Sequence, residues 1–442
     1  MKPSFDPDAV RHRLETVRER TLTLVAPLDW QELRRQHISI LSPMVWDLGH
    51  IGMFEEMWLR TNLGGGDPLH PEYGRMFNPV ENPRNVRDGL PLPDRPTLFE
   101  YLDQVRVGAL ERLDEIATGR AALDGAAPLA ENGFVYEMVA EHEEQHQETL
   151  LQAMQLMTEP RSYTPGVRRR LPPGGPVPEE MIHVPAGHFR MGFEGSGFAY
   201  DNERQAHEAY LPEFLIDPAP VTCLEYLTFV EAGGYETREL WSDDGWAYKE
   251  EAGLAHPRYW ISPRDGHGWR LRSFDRVRDL PERRPVMHVT YWEAEAYARF
   301  AGKRLPTEAE WEKAALWDPE RQEKRRHPWG DEPATPERTN LDQLAFGPAE
   351  VGAYPEGVSA YGVHQMLGDV WEWTSSDFRA YPNFQAFPYA EYSEVFFGSD
   401  YKVLRGGSWA TRPALARGTF RNWDFPIRSQ IFTGIRCAKD AS

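Results

Sequence analysis

Cysteine is nearly absent from this chain of 442 residues: Cys223 and Cys437 are the only two. A secreted scaffold stapled by several disulfides is therefore excluded, and at most one bridge could form. No run of about 18 apolar residues occurs, so no segment reads as a membrane span. The N-terminal stretch MKPSFDPDAVRHRLETVRER is charged and lacks an apolar core, so no signal peptide is expected and the cytoplasm is the default compartment. Positive charge is also in short supply. Lys and Arg number 49 against 69 Asp and Glu, for a net charge of −20. That argues against a nucleic-acid partner, which needs clustered basic residues to meet phosphates. The acidity reads as a solvated surface that keeps the protein soluble, with a monomer as the working expectation.

What is present describes a packed chain. Hydrophobic residues make up 40% and aromatics 12%, with 15 Trp. Most of those are core fillers, and a heavy load of them also suits aromatic-walled pockets. The length exceeds what one ordinary core supports, so two or more domains are expected. Residues 1–159 read as helices. Val10, Leu14, Val17, Leu22 and Leu24 form one stripe between Ala9 and Leu28. Ser42 as N-cap, with Pro43 at the first helical position, opens a second helix through Trp46, His50, Phe54 and Trp58, stopped by Gly64-Gly65-Gly66. A third spans Thr97 to Ile116 with Leu98, Leu102, Val105, Leu110 and Leu113 inward, and a fourth spans Glu131 to Met157. The expectation is an all-α antiparallel four-helix bundle, a fold that builds metal sites from side chains on facing helices. Residues 160–178, PRSYTPGVRRRLPPGGPVP, carry Pro, Gly and an Arg run without a sustained period and read as a linker. From 179 to 442, short apolar runs alternate with turn residues. Helical patterns remain only near Cys223–Glu231 and Thr307–Leu316, the second with a Thr307/Glu310 capping box. That predicts an irregular, loop-rich α+β domain without internal repeats.

On the fourth helix, His142 and His146 stand four apart and share a face with Val135, Met138, Val139 and Leu150. Imidazoles on a core-facing stripe are costly unless something satisfies them. An inward i, i+4 pair points to a metal more often than not. His50, beside Trp46, Phe54 and Trp58 on its own helix, is a third candidate ligand or, equally, a core histidine. The run His142-Glu143-Glu144-Gln145-His146 formally fits H-E-x-x-H, the zinc-protease signature. A metzincin continuation would need Gly and His further on, but the chain reads Gln147-Glu148-Thr149-Leu150-Leu151-Gln152, and a Pro-rich stretch follows. A neutral three-His set leaves three octahedral positions open on iron, enough for two donor atoms and O2. Residue types alone do not separate that from zinc.

Longer segments are more specific. SPMVWDLGHIGMFEEMWL and EHEEQHQETLLQ resemble the metal-binding helices of a DinB-like bundle. MIHVPAGHFRMG, PVTCLEYLTFVEAGGY, RLPTEAEWEKAA, HPWGD, LGDVWEWTSS, VLRGGSW and TGIRCAKD resemble the formylglycine-generating-enzyme domain, a C-type-lectin-like fold. The two in this order resemble the iron(II)-dependent sulfoxide synthases of ergothioneine biosynthesis (the EgtB family) over essentially the whole chain. GDVWEW alone indicates only the lectin-like fold, whereas the three histidines with NPRNVR and RNWDFPIRSQIF are together highly specific. The resemblance implies a non-haem Fe(II) enzyme. Such an enzyme uses O2 to join the sulfur of γ-glutamylcysteine to a ring carbon of Nα-trimethylhistidine (hercynine), and oxidises that sulfur to a sulfoxide. It implies His50, His142 and His146 as iron ligands and Gln145 near the ring of the histidine substrate. It implies Arg84 and Arg87 on the carboxylates of the sulfur donor, a task suited to the planar guanidinium fork. Asn422 matches the contact to the trimethylated amino acid, and Asp424 and Arg428 match contacts to the ammonium and carboxylate of the γ-glutamyl arm. Tyr389, in FPYAEYSEVFF, matches a tyrosine that delivers a proton or hydrogen atom, with Tyr392 three residues on as the alternative.

The chain departs from the family pattern in three places. Gly52-Met53-Phe54 follow His50 where the family carries polar residues, which implies a drier pocket wall. Cys223 stands where lectin-like relatives commonly have Asn, and is either a buried thiol or a partner for Cys437. Formylglycine-generating enzymes work through a cysteine pair near the C-terminus, and TRPALARGTFRNWDFPIRSQIF contains none, so that activity is not expected. Taken without the resemblance, Arg84 and Arg87 read as surface arginines and Tyr389 as an interface aromatic. Asp424 and Arg428, four apart, then read as a simple pair. Alternatives are the same chemistry with free cysteine or histidine, a zinc-dependent hydrolase or thiol transferase, and a non-catalytic lectin-like binding module. The charge of Arg84, Arg87 and Arg428 favours the longer thiol donor. A structural Ca2+ held by Asn340 and Asp369 is a further expectation.

Overall fold

The computed structural model describes residues 4–120, 127–195, 197–264 and 266–441. The chain divides into two compact units, Met1–Tyr163 with Ser196–Phe198, and Thr164–Gly195 with Ala199–Ser442.

Four long helices among the described residues carry the first unit: α1 (Pro7–Val25), α2 (Met44–Glu55), α3 (Arg95–Ala117) and α4 (Phe134–Leu156). Asp6 caps α1 by accepting from the backbone N–H groups of Asp8 and Ala9, and Asp94 caps α3 by accepting from Thr97. Both α1 and α2 pack on α3 and α4, burying Leu14, Val17, Leu48, Leu98, Val105, Val135 and Val139. One charged side chain from each of the four helices joins a buried ionic cluster. Arg18 of α1 meets Glu55 of α2 at 2.7 Å and Glu143 of α4 at 2.9 Å, and Arg106 of α3 meets the same two carboxylates at 2.6 and 3.1 Å.

Local details differ from the sequence expectation. Pro43, not Ser42, occupies the N-cap of α2, and no side chain caps it. The Ser42 hydroxyl accepts from Arg87 Nη1 at 2.6 Å instead. After Glu55 the helix widens into a π-helical stretch, Glu56–Asn62, rather than running as regular α-helix to the glycines. Glu56 there accepts from the Tyr101 hydroxyl at 2.8 Å and from the Leu69 backbone. Leu110 is half-buried rather than inward, because the inward positions of that turn are Arg106, Ala109 and Leu113.

The second unit is α+β and rich in loops. Its largest sheet has four strands in the order Asn422–Asp424, Lys402–Arg405, Trp371–Asp377, Thr433–Gly434. The first three are antiparallel neighbours, and the last pairs in parallel. Family motifs hold one another here: Trp311 Nε1 donates to Glu372 Oε2 at 2.6 Å, and Arg436 Nη2 to Glu372 Oε1 at 2.8 Å. All three side chains are buried, so these motif residues build the core. Helices Cys223–Glu231 and Glu308–Leu316 form where expected, the second behind the Thr307/Glu310 capping box. Helices Asp243–Ala252 and Tyr291–Phe300 are additional. From Thr164 on, the stretch read as a linker lies against this unit: the N–H groups of Arg168 and Arg169 both donate to the Leu344 carbonyl, at 2.8 and 3.0 Å. Cys223 and Cys437 are buried free thiols, so no bridge joins them. Among the described residues, no helix is long and apolar enough to cross a membrane.

Candidate metal centre and substrate-contact residues

Helices α2 and α4 bring three histidines together. The His50 Nδ1–H donates to the Phe77 carbonyl at 2.8 Å, which leaves the lone pair on Nε2. That nitrogen lies 3.1 Å from His142 Nε2. One turn further along α4, His146 completes a set whose ligating nitrogens all lie within 4.8 Å of one another. Gly49 allows the close approach of Phe77, since a Cβ there would stand 2.2 Å from the Phe77 ring. Aromatic walls enclose the set. Trp46 stacks on His50 at 5.1 Å between centroids and 13° between planes, and Phe54 lies flat on His142 at 3.7 Å and 12°. Phe54 thus supplies the dry wall that the Gly52-Met53-Phe54 departure implies.

The donor set fits a divalent cation. Burial holds the pKa values of His50 and His142 well below the usual histidine range, and the charge of His146 would lower both further, so the rings are neutral. At 3.1 Å the His50 Nε2 lone pair is met either by a proton on His142 Nε2 or by a cation bound to both rings. Asp47 Oδ1 stands 3.4 Å from His146 Nδ1, the carboxylate–histidine arrangement that orients a metal ligand. Neither His146 Nδ1 nor Asp47 Oδ2 has a hydrogen-bond partner. Among the described residues no other group of His, Cys, Asp or Glu converges in this way.

The zinc-protease reading fails on geometry. Its general base would be Glu143, but that carboxylate accepts from Arg18 Nε at 2.9 Å, Thr21 Oγ1 at 2.7 Å and Arg106 Nη2 at 3.1 Å, and is fully engaged away from the histidines. Glu144 is likewise held by Arg13 Nη2 at 2.9 Å.

Arg84 and Arg87 share one 3-10 segment, Arg84–Gly89, with different surroundings. Arg87 is buried, with its guanidinium 3.4 Å above the Trp46 ring and its Nε donating to the Asn82 carbonyl at 2.8 Å. Trp46 in turn stacks on His50, so a single ring separates this cation from the histidine set. Arg84 is exposed, and its carbonyl accepts from Gln36 Nε2 at 2.7 Å. Gln145 is half-buried on α4, between the two histidines in sequence. Asp47 and Phe77 were not singled out by sequence as parts of the site, whereas Trp46 and Phe54 were placed beside His50. A carboxylate on the apolar run VWDLGH was the available signal for Asp47.

In the second unit, Asn422 and Asp424 sit on the edge strand of the four-stranded sheet, and each accepts its following backbone N–H at 2.9 Å. Arg428 Nε lies 3.4 Å from Asp424 Oδ2, so the two do pair. Tyr389 is half-buried, and burial together with the nearby Asp201 carboxylate drives its phenol pKa far upward. Tyr392, 6.3 Å away between centroids, is stacked flat on Tyr200 at 4.1 Å and edge-on to Trp423 at 5.8 Å. The calcium expectation is not met. Asp369 Oδ1 accepts from Asn340 Nδ2 at 2.7 Å and the Ala349 N–H at 2.6 Å, and Oδ2 accepts from Gln365 Nε2 at 2.8 Å. Asn340 turns its amide nitrogen, not its oxygen, toward the carboxylate, so both carboxylate oxygens are already satisfied by donors.

Residues 13–150 match the DinB superfamily, and residues 170–441 match the sulfatase-modifying factor enzyme 1-like domain. The chain is 46% identical to a hercynine oxygenase of Mycolicibacterium thermoresistibile, covering 98% of this chain and 96% of the relative. It is 44% identical to a hercynine oxygenase of Mycolicibacterium smegmatis, covering 98% and 99%. The chain belongs to the hercynine oxygenase family. The second unit alone is similar to a formylglycine-generating enzyme of Thermomonospora curvata, at 32% identity over 60% of this chain and 94% of that protein. The pairing of domains expected from the motifs is thus borne out, and membership in the hercynine oxygenase family makes the chain an oxygen-dependent oxidoreductase.

Proposed function

We propose that this protein is a hercynine oxygenase of ergothioneine biosynthesis, with Fe(II) held by His50, His142 and His146 and γ-glutamylcysteine as the sulfur donor. The observation that carries this reading is the convergence of three histidine ring nitrogens, with the Nε2 lone pair of His50 fixed by the bond its Nδ1–H makes to the Phe77 carbonyl. Iron bound there supplies O2 activation and a common anchor for both substrates.

The chain's own residues supply the rest. Asp47 orients His146, while Trp46 and Phe54 exclude water from the ligand set. Arg87, preorganised by its stacking and by Ser42 and Asn82, offers a guanidinium fork to a donor carboxylate, with Arg84 on the same segment. Gln145 attends the hercynine ring and Asn422 its trimethylated amino-acid end, while Asp424 and Arg428 take the ammonium and carboxylate of the γ-glutamyl arm. Tyr389 keeps its proton at neutral pH and is the group that releases it during turnover. The reaction balances: the thiol S–H and one ring C–H are lost, C–S and S=O bonds form, and the second oxygen atom leaves as water. Free cysteine is the second reading for the donor, but its single carboxylate leaves part of the Arg84 and Arg87 charge unmatched. Two buried free thiols fit the reducing cytoplasm.

Mass spectrometry of iron-reconstituted protein with hercynine and O2, given γ-glutamylcysteine or cysteine separately, tests this. A product that joins hercynine to γ-glutamylcysteine and carries one added oxygen is expected. No adduct with either thiol, from protein shown to hold iron, would overturn the reading.

A further inference from the structure

The Arg run of the 160–178 stretch has no part in the oxygenase reading. Arg169 and Arg170 from that run line a cavity of about 320 Å³ in the second unit, together with Arg276, Arg278 and Arg284. Strand register explains part of this convergence. In the hairpin Arg270–Ser273 with Arg276–Asp279, Leu271 pairs with Arg278 and Ser273 with Arg276, so these four side chains share one face, and all four line the cavity. Arg270 and Arg272 fall on the other face. The 164–171 segment reaches the cavity because its backbone is tied to the Leu344 carbonyl.

The lining is one-sided in charge. In a chain of net charge −20, five arginines meet here and no Asp or Glu lines the cavity. Arg169 is paired with Glu337 at 2.8 Å, and Arg276 lies 3.7 Å from Asp275. Arg170, Arg278 and Arg284 have no ion pair among the described residues. Partial desolvation and the like charges of Arg284 and Arg276 lower the pKa of Arg278, against an opposing pull from Asp275. Five like charges gathered around a cavity that no carboxylate lines focus a field that attracts anions. The remaining surface is apolar, from Trp260, Leu271, Met287 and Phe346. The volume lies in the range of small-ligand sites.

We propose that this cavity binds a small phosphorylated organic molecule with a flat apolar portion. Three guanidiniums outside any ion pair among the described residues match the dianionic, three-oxygen phosphate better than a single carboxylate. The flat portion would lie against Trp260 and Phe346. None of these residues belongs to the set assigned to the oxygenase reaction, so the proposal stands or falls independently of that reading.

Isothermal titration of the full-length, metal-loaded protein with AMP tests it, with pyrophosphate as a charge-only arm and benzoate as a flat-carboxylate arm. AMP is expected to bind with a Kd below about 1 mM at low salt, more tightly than either other probe. Arg278→Ala and Arg284→Ala should each weaken AMP binding about tenfold or more, with oxygenase turnover and melting temperature unchanged. Arg278 is exposed, so replacing it leaves the core intact. No heat from AMP, an AMP Kd unchanged in both variants, or benzoate or pyrophosphate binding as tightly as AMP would overturn the proposal.

Discussion

The first unit buries two polar clusters on shared helices, and they differ in whether their hydrogen bonds are complete. In the cluster of Arg18, Glu55, Arg106 and Glu143, all four carboxylate oxygens accept from a guanidinium or a hydroxyl. Two positive and two negative charges balance, and the result is a crosslink among four helices. The histidine cluster is open. His50 Nε2 and His142 Nε2 face each other at 3.1 Å, a contact that a shared proton or a shared cation satisfies, and His146 Nδ1 has no hydrogen-bond partner. A closed buried cluster fixes architecture, whereas an open one keeps its capacity to coordinate for an ion. The two are mechanically linked, because Glu143 adjoins His142 and Glu55 lies little more than one turn after His50.

Three substitutions sharpen or break this contrast. His142→Ala should have the largest effect on function, weakening metal affinity more than about 100-fold and removing turnover with it. The urea midpoint of the metal-free protein should change little, as metal analysis after desalting and unfolding curves would show. Normal turnover in this variant would erase the distinction between the clusters. Glu143→Ala should act the other way. It leaves Arg18 and Arg106 buried with excess charge, and should cost about 3–5 kcal/mol of stability by urea unfolding. A loss under about 1 kcal/mol would mean that the closed cluster is not the crosslink described. Asp47→Asn should have the smallest effect, a fall of about 10–100-fold in metal affinity with the fold retained, measured by competition with a chelator. Unchanged affinity would remove Asp47 from the centre.

The helices of the first unit were legible because their apolar stripes repeat every three to four residues, and the His142/His146 pair was legible from its spacing on such a stripe. The π-helical turn after Glu55 was not, since Met57, Trp58 and Leu59 continue the apolar pattern without a break. The cap assigned to Ser42 fails because Arg87, distant in sequence, takes its hydroxyl. In the second unit, the Thr290/Glu293 capping box was an available signal for helix Tyr291–Phe300 that the sequence reading did not use; half of its buried face is alanine, which weakens the apolar stripe. Helix Asp243–Ala252 buries only Gly245 and gives none. The Asn340/Asp369 pair shows the limit of residue types, because only geometry reveals which atom of an amide faces a carboxylate. The arginine cavity was hidden for a related reason: its members come from three separate stretches, and the Arg run alone reads as a solvated linker.

Anaerobic titration of metal-free protein with Fe(II) tests the central claim most directly, with the unaltered chain set beside one in which His50, His142 and His146 are all alanine. The account predicts saturable binding of one Fe(II) per chain in the first and none in the second. Equal binding by both proteins, or no saturable binding by the unaltered chain, would contradict it.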